Sequence, residues 1–103
     1  MYRIGIDVGG TGIQSGLVDE KGNILQKVSI PTRLDLSFED QIAALAESLR
    51  NLISISGVTE DDILSVGIGI PGIADQTTGI VIKCTNMNWH FLPLRTELQK
   101  WIN

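Results

Sequence analysis

The stretch from Ile4 to Leu25 (IGIDVGGTGIQSGLVDEKGNIL) constrains the fold more than any other part of the chain. It predicts an apolar strand that brings one carboxylate, Asp7, to a glycine-rich turn, followed by an alternating strand that leads back. Glycines let backbone N–H groups approach an anion closely, and a threonine hydroxyl can add a hydrogen bond. A carboxylate at the strand end can hold a water molecule of a metal ion bound to that anion. The sequence therefore predicts a nucleotide-phosphate site between two antiparallel strands, formed by Gly9, Gly10, Thr11 and Gly12.

Two other phosphate-binding motifs do not fit their context. A P-loop needs a lysine at the end of the glycine loop and a helix after it, but no lysine precedes Lys21 and residues 13–18 alternate like a strand. Residues 67–72 (GIGIPG) do spell the G-x-G-x-x-G pattern. A dinucleotide fold requires a helix to start inside those glycines, whereas the following residues, IADQTTGIVI, have no helical period.

The composition limits the class of protein. At 103 residues, with 43% hydrophobic and 19% charged residues, the chain fits one small globular domain. A net charge of −4 without basic clusters argues against nucleic acid as a partner. No apolar run approaches the roughly 20 residues of a membrane span, and the N-terminus lacks a secretory pattern, so we expect a cytoplasmic location. One cysteine and one histidine cannot form a disulfide or a structural zinc site; we interpret Cys84 as a half-buried strand-end residue and His90 as a loop residue.

Alternating apolar residues predict three consecutive strands, over residues 2–8, 13–18 and 24–30. Residues 20–23 (EKGN) favour a hairpin turn, because glycine and asparagine tolerate positive φ. Strands joined by tight turns form an antiparallel meander. Ile13, Ser15 and Leu17 are expected on one face of the second strand.

An amphipathic helix is predicted next, with Ser37 as its N-cap and Gly57 as its stop. Its core-facing residues recur every three or four positions: Ile42, Leu45, Ala46, Leu49, Leu52 and Ile53.

The rest of the chain predicts a strand, a loop and a helix. The strongly apolar residues 63–70 are interpreted as a central strand that runs parallel to its neighbour. Residues 85–92 are predicted as a loop, and Pro93 suits the first turn of a last helix. The apolar stripe of that helix is Leu94, Leu98, Trp101 and Ile102. An α/β fold of this order would normally continue with another parallel strand, so we expect the chain to be either a truncated part of a longer domain or a domain that another chain completes.

Three segments together resemble one family. The first stretch is similar to the first phosphate motif of the sugar kinase/actin/heat-shock ATPase superfamily, whose lobes have a ribonuclease-H-like fold. Residues 66–73 (VGIGIPGI) resemble the strand and sugar loop of the ROK family (repressors, open reading frames, kinases), and TNMNW at 85–89, followed by Pro93-Leu94, resembles its N-x-x-W…PL segment. The expected fold is therefore an actin-like ATPase lobe, with a mixed sheet in which the meander is followed by a helix, a parallel strand and a terminal helix.

The resemblance also implies site residues. Gly9, Gly10, Thr11 and Gly12 would line the phosphates of ATP, Asp7 would stand near Mg²⁺, and Gly72 and Asn86 fall where family members contact a sugar. From the residues alone, Gly72 is also explained as a plain Pro-Gly turn and Asn86 as a loop-capping side chain. Trp89 is interpreted as a packing anchor. Gly12 stands where many members have lysine or asparagine.

The family's catalytic aspartate, its E-x-G-H sugar motif and its cysteine-rich zinc motif are expected beyond residue 103, so no catalytic or zinc-binding residue is assigned. The preferred function is the N-terminal part of an ATP-dependent kinase for a hexose or N-acetylhexosamine, inactive without the remainder of the parent chain. The alternative is part of a sugar-responsive ROK transcriptional regulator, and a stand-alone assembly domain is a third reading. A homo-oligomer is left open, and no membrane is expected as a partner.

Overall fold

The computed structural model describes residues 1–84 and 87–102. They form two β-sheets and two α-helices, with a short 3₁₀ helix at Glu60–Asp62. The strands are β1 (Tyr2–Val8), β2 (Gly12–Val18), β3 (Ile24–Pro31), β4 (Ile63–Gly69), β5 (Ile73–Asp75), β6 (Ile80–Cys84) and β7 (Trp89–Leu92). The helices are α1 (Phe38–Ile55) and α2 (Leu94–Gln99). Neither helix of this described part has the length and apolar character that a membrane crossing would need.

The larger sheet has the strand order β3-β2-β1-β4. Its first three strands pair antiparallel, and β4 pairs parallel with β1. The β2–β3 connection is tight because Gly22 takes a φ of +86°, a conformation that glycine adopts without strain. The predicted meander, followed by a helix and a parallel strand, is confirmed, and with it the mixed α/β fold class.

One face of the larger sheet is buried beneath α1, because apolar residues alternate along its strands. The buried side chains of β1 and β2 are Ile4, Ile6, Val8, Ile13, Ser15 and Leu17. All six core residues predicted for α1 are buried against them. Each large aliphatic side chain that leaves water in this way contributes about 1.5–3 kcal/mol. The opposite face of the sheet, which carries Asp7, is exposed.

The ends of α1 are those that the sequence predicts. The Ser37 hydroxyl accepts a hydrogen bond from the Asp40 N–H at 3.1 Å, which satisfies one of the free amides of the first turn. The helix ends at Ile55, and Gly57 follows with a φ of +76°. This left-handed glycine turns the chain back toward β4.

The smaller sheet, of order β5-β6-β7, corrects one prediction. Residues 89–92 form a strand, not the second half of a loop, and His90 therefore lies on a strand. The alternation is too weak to reveal this strand, since only Trp89 of its four residues is fully buried. Cys84 lies at the end of β6 as expected, but it is completely buried instead of half-buried.

A second correction concerns β4, which is the edge strand of the larger sheet within the described residues, not a central one. Its Val66 and Ile68 are only half-buried. Beside it lies an apolar groove of about 400 Å³, which we call the edge groove; it is bounded by β4, the β5–β6 hairpin and α2. A continuous apolar run predicts a central strand because both faces of such a strand are usually buried. In β4 the apolar side chains line the edge groove, which leaves them partly open to solvent.

The last helix is shorter than predicted. It ends at Gln99, and Trp101 lies beyond it with 42% of its surface exposed. Leu94 and Leu98 are buried as expected. Ile102 is half-buried and packs against the core, so the predicted apolar stripe is wrong only for Trp101, which is not part of the core.

Candidate phosphate and sugar site

The predicted phosphate turn, residues 9–12, closes the hairpin between β1 and β2. The Gly9 N–H donates to the Gly12 carbonyl oxygen at 3.0 Å. A Cβ atom at position 9 would lie 2.9 Å from the same oxygen, so a larger residue would force the turn to shift. Gly9 therefore shapes the turn, and its amide is already used inside it.

Two other amides of the turn are available to an anion. Gly10 and Thr11 are exposed, and within the described residues their N–H groups donate to no acceptor. The carbonyls of Gly9 and Thr11 are instead held by Thr32, whose hydroxyl donates to Gly9 at 2.7 Å and whose N–H donates to Thr11 at 3.2 Å. Carbonyl oxygens repel an anion, so engaging them elsewhere leaves N–H groups to dominate the field of the turn.

Asp7 stands beside this turn on the exposed face of β1. The register places it opposite Gln14 of β2 and Gly69 of β4. Its carboxylate takes part in none of the ion pairs that the described residues form. Protein-bound Mg²⁺ commonly uses one or two carboxylates together with substrate phosphates and water, so a lone carboxylate beside free amides fits a magnesium nucleotide. Residues 1–84 and 87–102 contain no cluster of three metal-ligating side chains.

The predicted sugar loop leaves the sheet at the same end as the phosphate turn. Because β1 and β4 are adjacent and parallel, with Asp7 opposite Gly69, the residues after each strand emerge side by side. Gly72 lies three residues beyond Gly69 and packs against the end of β6. A Cβ atom there would overlap the Lys83 carbonyl oxygen and lie 2.9 Å from the Cα atom of Cys84. Close backbone approach is thus one reason for glycine at position 72, alongside the predicted sugar contact.

Asn86, the other predicted sugar residue, lies outside the described residues. The structure does describe its neighbours from Met87 onward. Trp89 is 2% exposed, and its ring meets that of Phe38 edge-to-face, with centroids 5.3 Å apart. Its indole N–H donates to the Oε1 atom of Gln41 at 2.8 Å. The interpretation of Trp89 as a packing anchor is confirmed.

Sequence reasoning missed two residues that shape this region, Thr32 and Gln41. Gln41 is 6% exposed and donates through Nε2 to the Arg33 carbonyl oxygen at 2.9 Å. A signal existed for Gln41, because it lies four residues before Leu45 on the buried side of α1, where a polar residue needs a partner. Thr32 gave no such signal, since a threonine after a strand-ending proline is common in loops.

A surface ion pair lies next to Thr32. The Arg33 guanidinium contacts the Asp35 carboxylate at 2.7 Å, with both side chains more than half exposed. This hydrogen bond lowers the pKa of Asp35 and raises the pKa of Arg33. Arg33 is thereby engaged with its own loop.

The fold and the turn together define a class of protein. A βββαβ order, with β4 parallel to β1 and a glycine turn after β1, is that of a ribonuclease-H-like lobe of the actin-like ATPase kind. A ROK family glucokinase from Streptomyces griseus, solved with glucose and AMPPNP, superposes with a TM-score of 0.83 at 30% identity; the match covers 97% of this chain and 30% of that one.

Relatives of known name agree with this class. A glucokinase of Thermotoga maritima is 42% identical over 98 residues, which are 94% of this chain and 29% of that protein. A putative xylose repressor of a Caldicellulosiruptor species is 32% identical over 96 residues, which are 93% of this chain and 24% of that protein. The model of the ROK family matches residues 3–103. The chain belongs to the ROK family, and it spans less than a third of the length of these relatives.

Proposed function

We propose that the chain is the N-terminal part of an ATP-dependent sugar kinase, which transfers a phosphoryl group to a hexose hydroxyl. One observation carries the proposal: the Gly10 and Thr11 amides, which donate to no acceptor among the described residues, lie in the turn that follows the Asp7 strand, at the end of the sheet where β1 and β4 both finish. The similarity to glucokinases, one of them solved with glucose and AMPPNP, supports ATP and a hexose as the ligands.

In this proposal the residues at this end of the sheet have separate roles. Gly10 and Thr11 donate to the ATP phosphates, while Gly9 and Gly12 close the turn that presents them. Asp7 would hold Mg²⁺ through a water molecule, and the magnesium nucleotide supplies the phosphoryl group and neutralises its charge. On the sugar side, Gly72 and Asn86 would contact a hexose or an N-acetylhexosamine.

The chain alone is proposed to lack turnover. Phosphoryl transfer depends on positioning, on charge neutralisation and on a group that orients the nucleophile, and we assign no residue of this chain to the last role. The remainder of the kinase is proposed to include the expected further parallel strand. The edge groove supports this, because among the described residues no strand pairs with the outer side of β4, and the apolar residues Leu94 and Leu98 line the groove beside it. A cytoplasmic location stays a prediction from the sequence.

A graft tests the proposal directly. Residues 1–103 would replace the matching segment of the Thermotoga maritima glucokinase, which is similar enough for the two parts to pack together. We expect glucose-dependent ATP turnover by the graft and none by the 103-residue chain. In the graft, Asp7→Asn should lower kcat/KM by roughly tenfold or more, because the water-held metal ion loses a charged partner.

Asp61→Asn is the matched control for this experiment. Asp61 is an exposed carboxylate in the 3₁₀ helix, and its removal changes the net charge by the same amount. It should leave kcat/KM within about twofold of the unmodified graft. A folded graft that binds glucose but never hydrolyses or transfers from ATP would refute the kinase assignment.

The second candidate function is part of a sugar-responsive regulator. The 32% identity to a putative xylose repressor supports it, because the same family segment then belongs to a protein named for repression. The graft separates the two candidates. Sugar binding without any affinity for magnesium AMPPNP would favour the regulator, and mutual tightening of sugar and nucleotide binding would favour the kinase.

A further inference from the structure

Hydrogen bonds connect the phosphate turn to Trp89 through three residues that lie outside the turn, Thr32, its chain neighbour Arg33, and Gln41. Thr32 holds the carbonyls of Gly9 and Thr11 from outside the turn. Arg33 follows Thr32 in the chain, and its carbonyl oxygen accepts a hydrogen bond from the side-chain amide of Gln41. The oxygen of that amide accepts in turn from the indole N–H of Trp89. The path runs from the turn to the smaller sheet in three side-chain hydrogen bonds, all between 2.7 and 2.9 Å.

The geometry leaves Gln41 one orientation. An indole N–H can only donate and a backbone carbonyl can only accept, so the amide must face Trp89 with its oxygen and Arg33 with its nitrogen. Both Gln41 and Trp89 are buried, at 6% and 2% exposure. A buried polar group that loses its partner is costly, and the link is therefore maintained in the folded state.

The distance between the phosphate turn and residues 85–89 matters because the two segments are predicted to bind different ligands that must react with each other. The turn would hold phosphates, and residues 85–89 resemble the segment that meets the sugar. In phosphoryl transfer the reacting atoms must lie about 3–3.5 Å apart, and a displacement near 1 Å can cost about 100-fold in rate. A rigid connection between the segments would preserve that spacing.

We propose that Thr32 and Gln41 are positioning residues, which fix the phosphate turn relative to residues 87–89 so that nucleotide and sugar are held in register. This inference rests on the proposed function for its chemical purpose. The physical link itself, from Trp89 to the turn, can be tested without any ligand.

Hydrogen exchange in the 103-residue chain measures the link. The Gly9 N–H, which donates to Gly12, exchanges when the turn opens. Thr32→Val removes the hydroxyl at constant shape and should accelerate this exchange by about tenfold, the equivalent of one hydrogen bond of about 1.4 kcal/mol. Gln41→Met should accelerate it by roughly threefold, because it acts through Arg33.

Ser48→Ala is the matched control for Gln41→Met. Ser48 is a second buried polar residue of α1, two turns further along, and within residues 1–84 and 87–102 its side chain makes no hydrogen bond to the phosphate turn. Exchange at Gly9, normalised to the core amide of Leu17, should change by less than about twofold in this variant. If Gln41→Met and Ser48→Ala have the same effect on the normalised exchange, the link is refuted.

Kinetics of the graft test the positioning role. Thr32→Val and Gln41→Met should each lower kcat by about tenfold, while the KM values for glucose and ATP stay within about twofold. Each ligand can still bind to its own segment, but a displacement between the two segments moves the reacting atoms apart and slows the transfer step. Thr32→Ser, which keeps the hydroxyl, should restore kcat. An unchanged kcat in both variants would overturn the inference.

The two proposals fail in different ways. A graft without turnover counts against the kinase assignment, and the exchange experiment then still decides whether Trp89 is linked to the turn. A graft that is active and insensitive to both variants retains the kinase assignment and removes the positioning role.

Discussion

The glycines of the phosphate turn and of β1 are needed for different reasons. At Gly9 a side chain would meet the Gly12 carbonyl, whereas at Gly5 a Cβ atom would have no neighbour within 4 Å. Gly9 is therefore required by the shape of the turn. Gly5 lies on the exposed face of the sheet, where no described residue is close enough to require a glycine.

Gly9→Ala should disturb both the turn and its ligand. We expect a loss of about 1–3 kcal/mol in the free energy of unfolding, because the new methyl group forces Gly12 away and weakens the Gly9–Gly12 hydrogen bond. In the graft, calorimetric titration with magnesium AMPPNP should show a matching loss of affinity, since the Gly10 and Thr11 amides move with the turn.

Gly5→Ala is the control at the residue scale. Its Cβ atom enters open space, so the free energy of unfolding should change by less than about 1 kcal/mol, and glycine in a strand interior is itself slightly unfavourable. If Gly9→Ala proved as mild as Gly5→Ala in both measurements, the account of the turn would be wrong.

At the scale of elements, the β2–β3 hairpin depends on a carboxylate at its turn. The Asp19 Oδ1 atom accepts from the Lys21 and Asn23 N–H groups, both at 2.9 Å. The hydrogen bond from the Asn23 backbone is the largest of the causes that lower the pKa of Asp19 below its ordinary value of 3.8. The charged form of Asp19 therefore stabilises the folded turn.

The sign of the pH dependence follows from that shift. A carboxyl whose pKa is lower in the folded state contributes fully above its unfolded pKa, and its contribution is lost as the pH falls through the lowered folded value. The amide shifts of Lys21 and Asn23, followed by NMR from pH 6 downward, should titrate together below 3.8. Asp19→Asn should abolish this titration. A midpoint at or above 3.8 in the unmodified chain would contradict the account.

The elements that the sequence predicted share one property: each shows its pattern locally. The meander, α1 and its Ser37 cap all follow from period, turn residues and capping, and all are present. The errors arise where distant contacts decide. β7 exists because Trp89 pairs with Cys84 and binds Gln41, and neither contact leaves a local pattern.

For the whole molecule, the candidate site lies where two parallel strands end together. The phosphate turn could be predicted because its glycines, threonine and aspartate are contiguous in sequence. That Gly72 emerges beside it depends on the pairing of β1 with β4. The sequence indicates that Gln41 needs a partner, but it does not show which one, and it gives no signal for Thr32. Their hydrogen bonds join residues that are 23 positions apart for Thr32 and Gly9, and 48 positions apart for Gln41 and Trp89.

The fate of the Gly9, Gly10 and Thr11 amides in the presence of nucleotide tests the central claim most directly. In a crystal structure of the graft with magnesium AMPPNP, the Gly10 and Thr11 nitrogens should each lie about 2.7–3.2 Å from a phosphate oxygen. The Gly9 N–H should remain on the Gly12 carbonyl. Nucleotide bound with both the Gly10 and Thr11 amides out of hydrogen-bonding range would contradict the account.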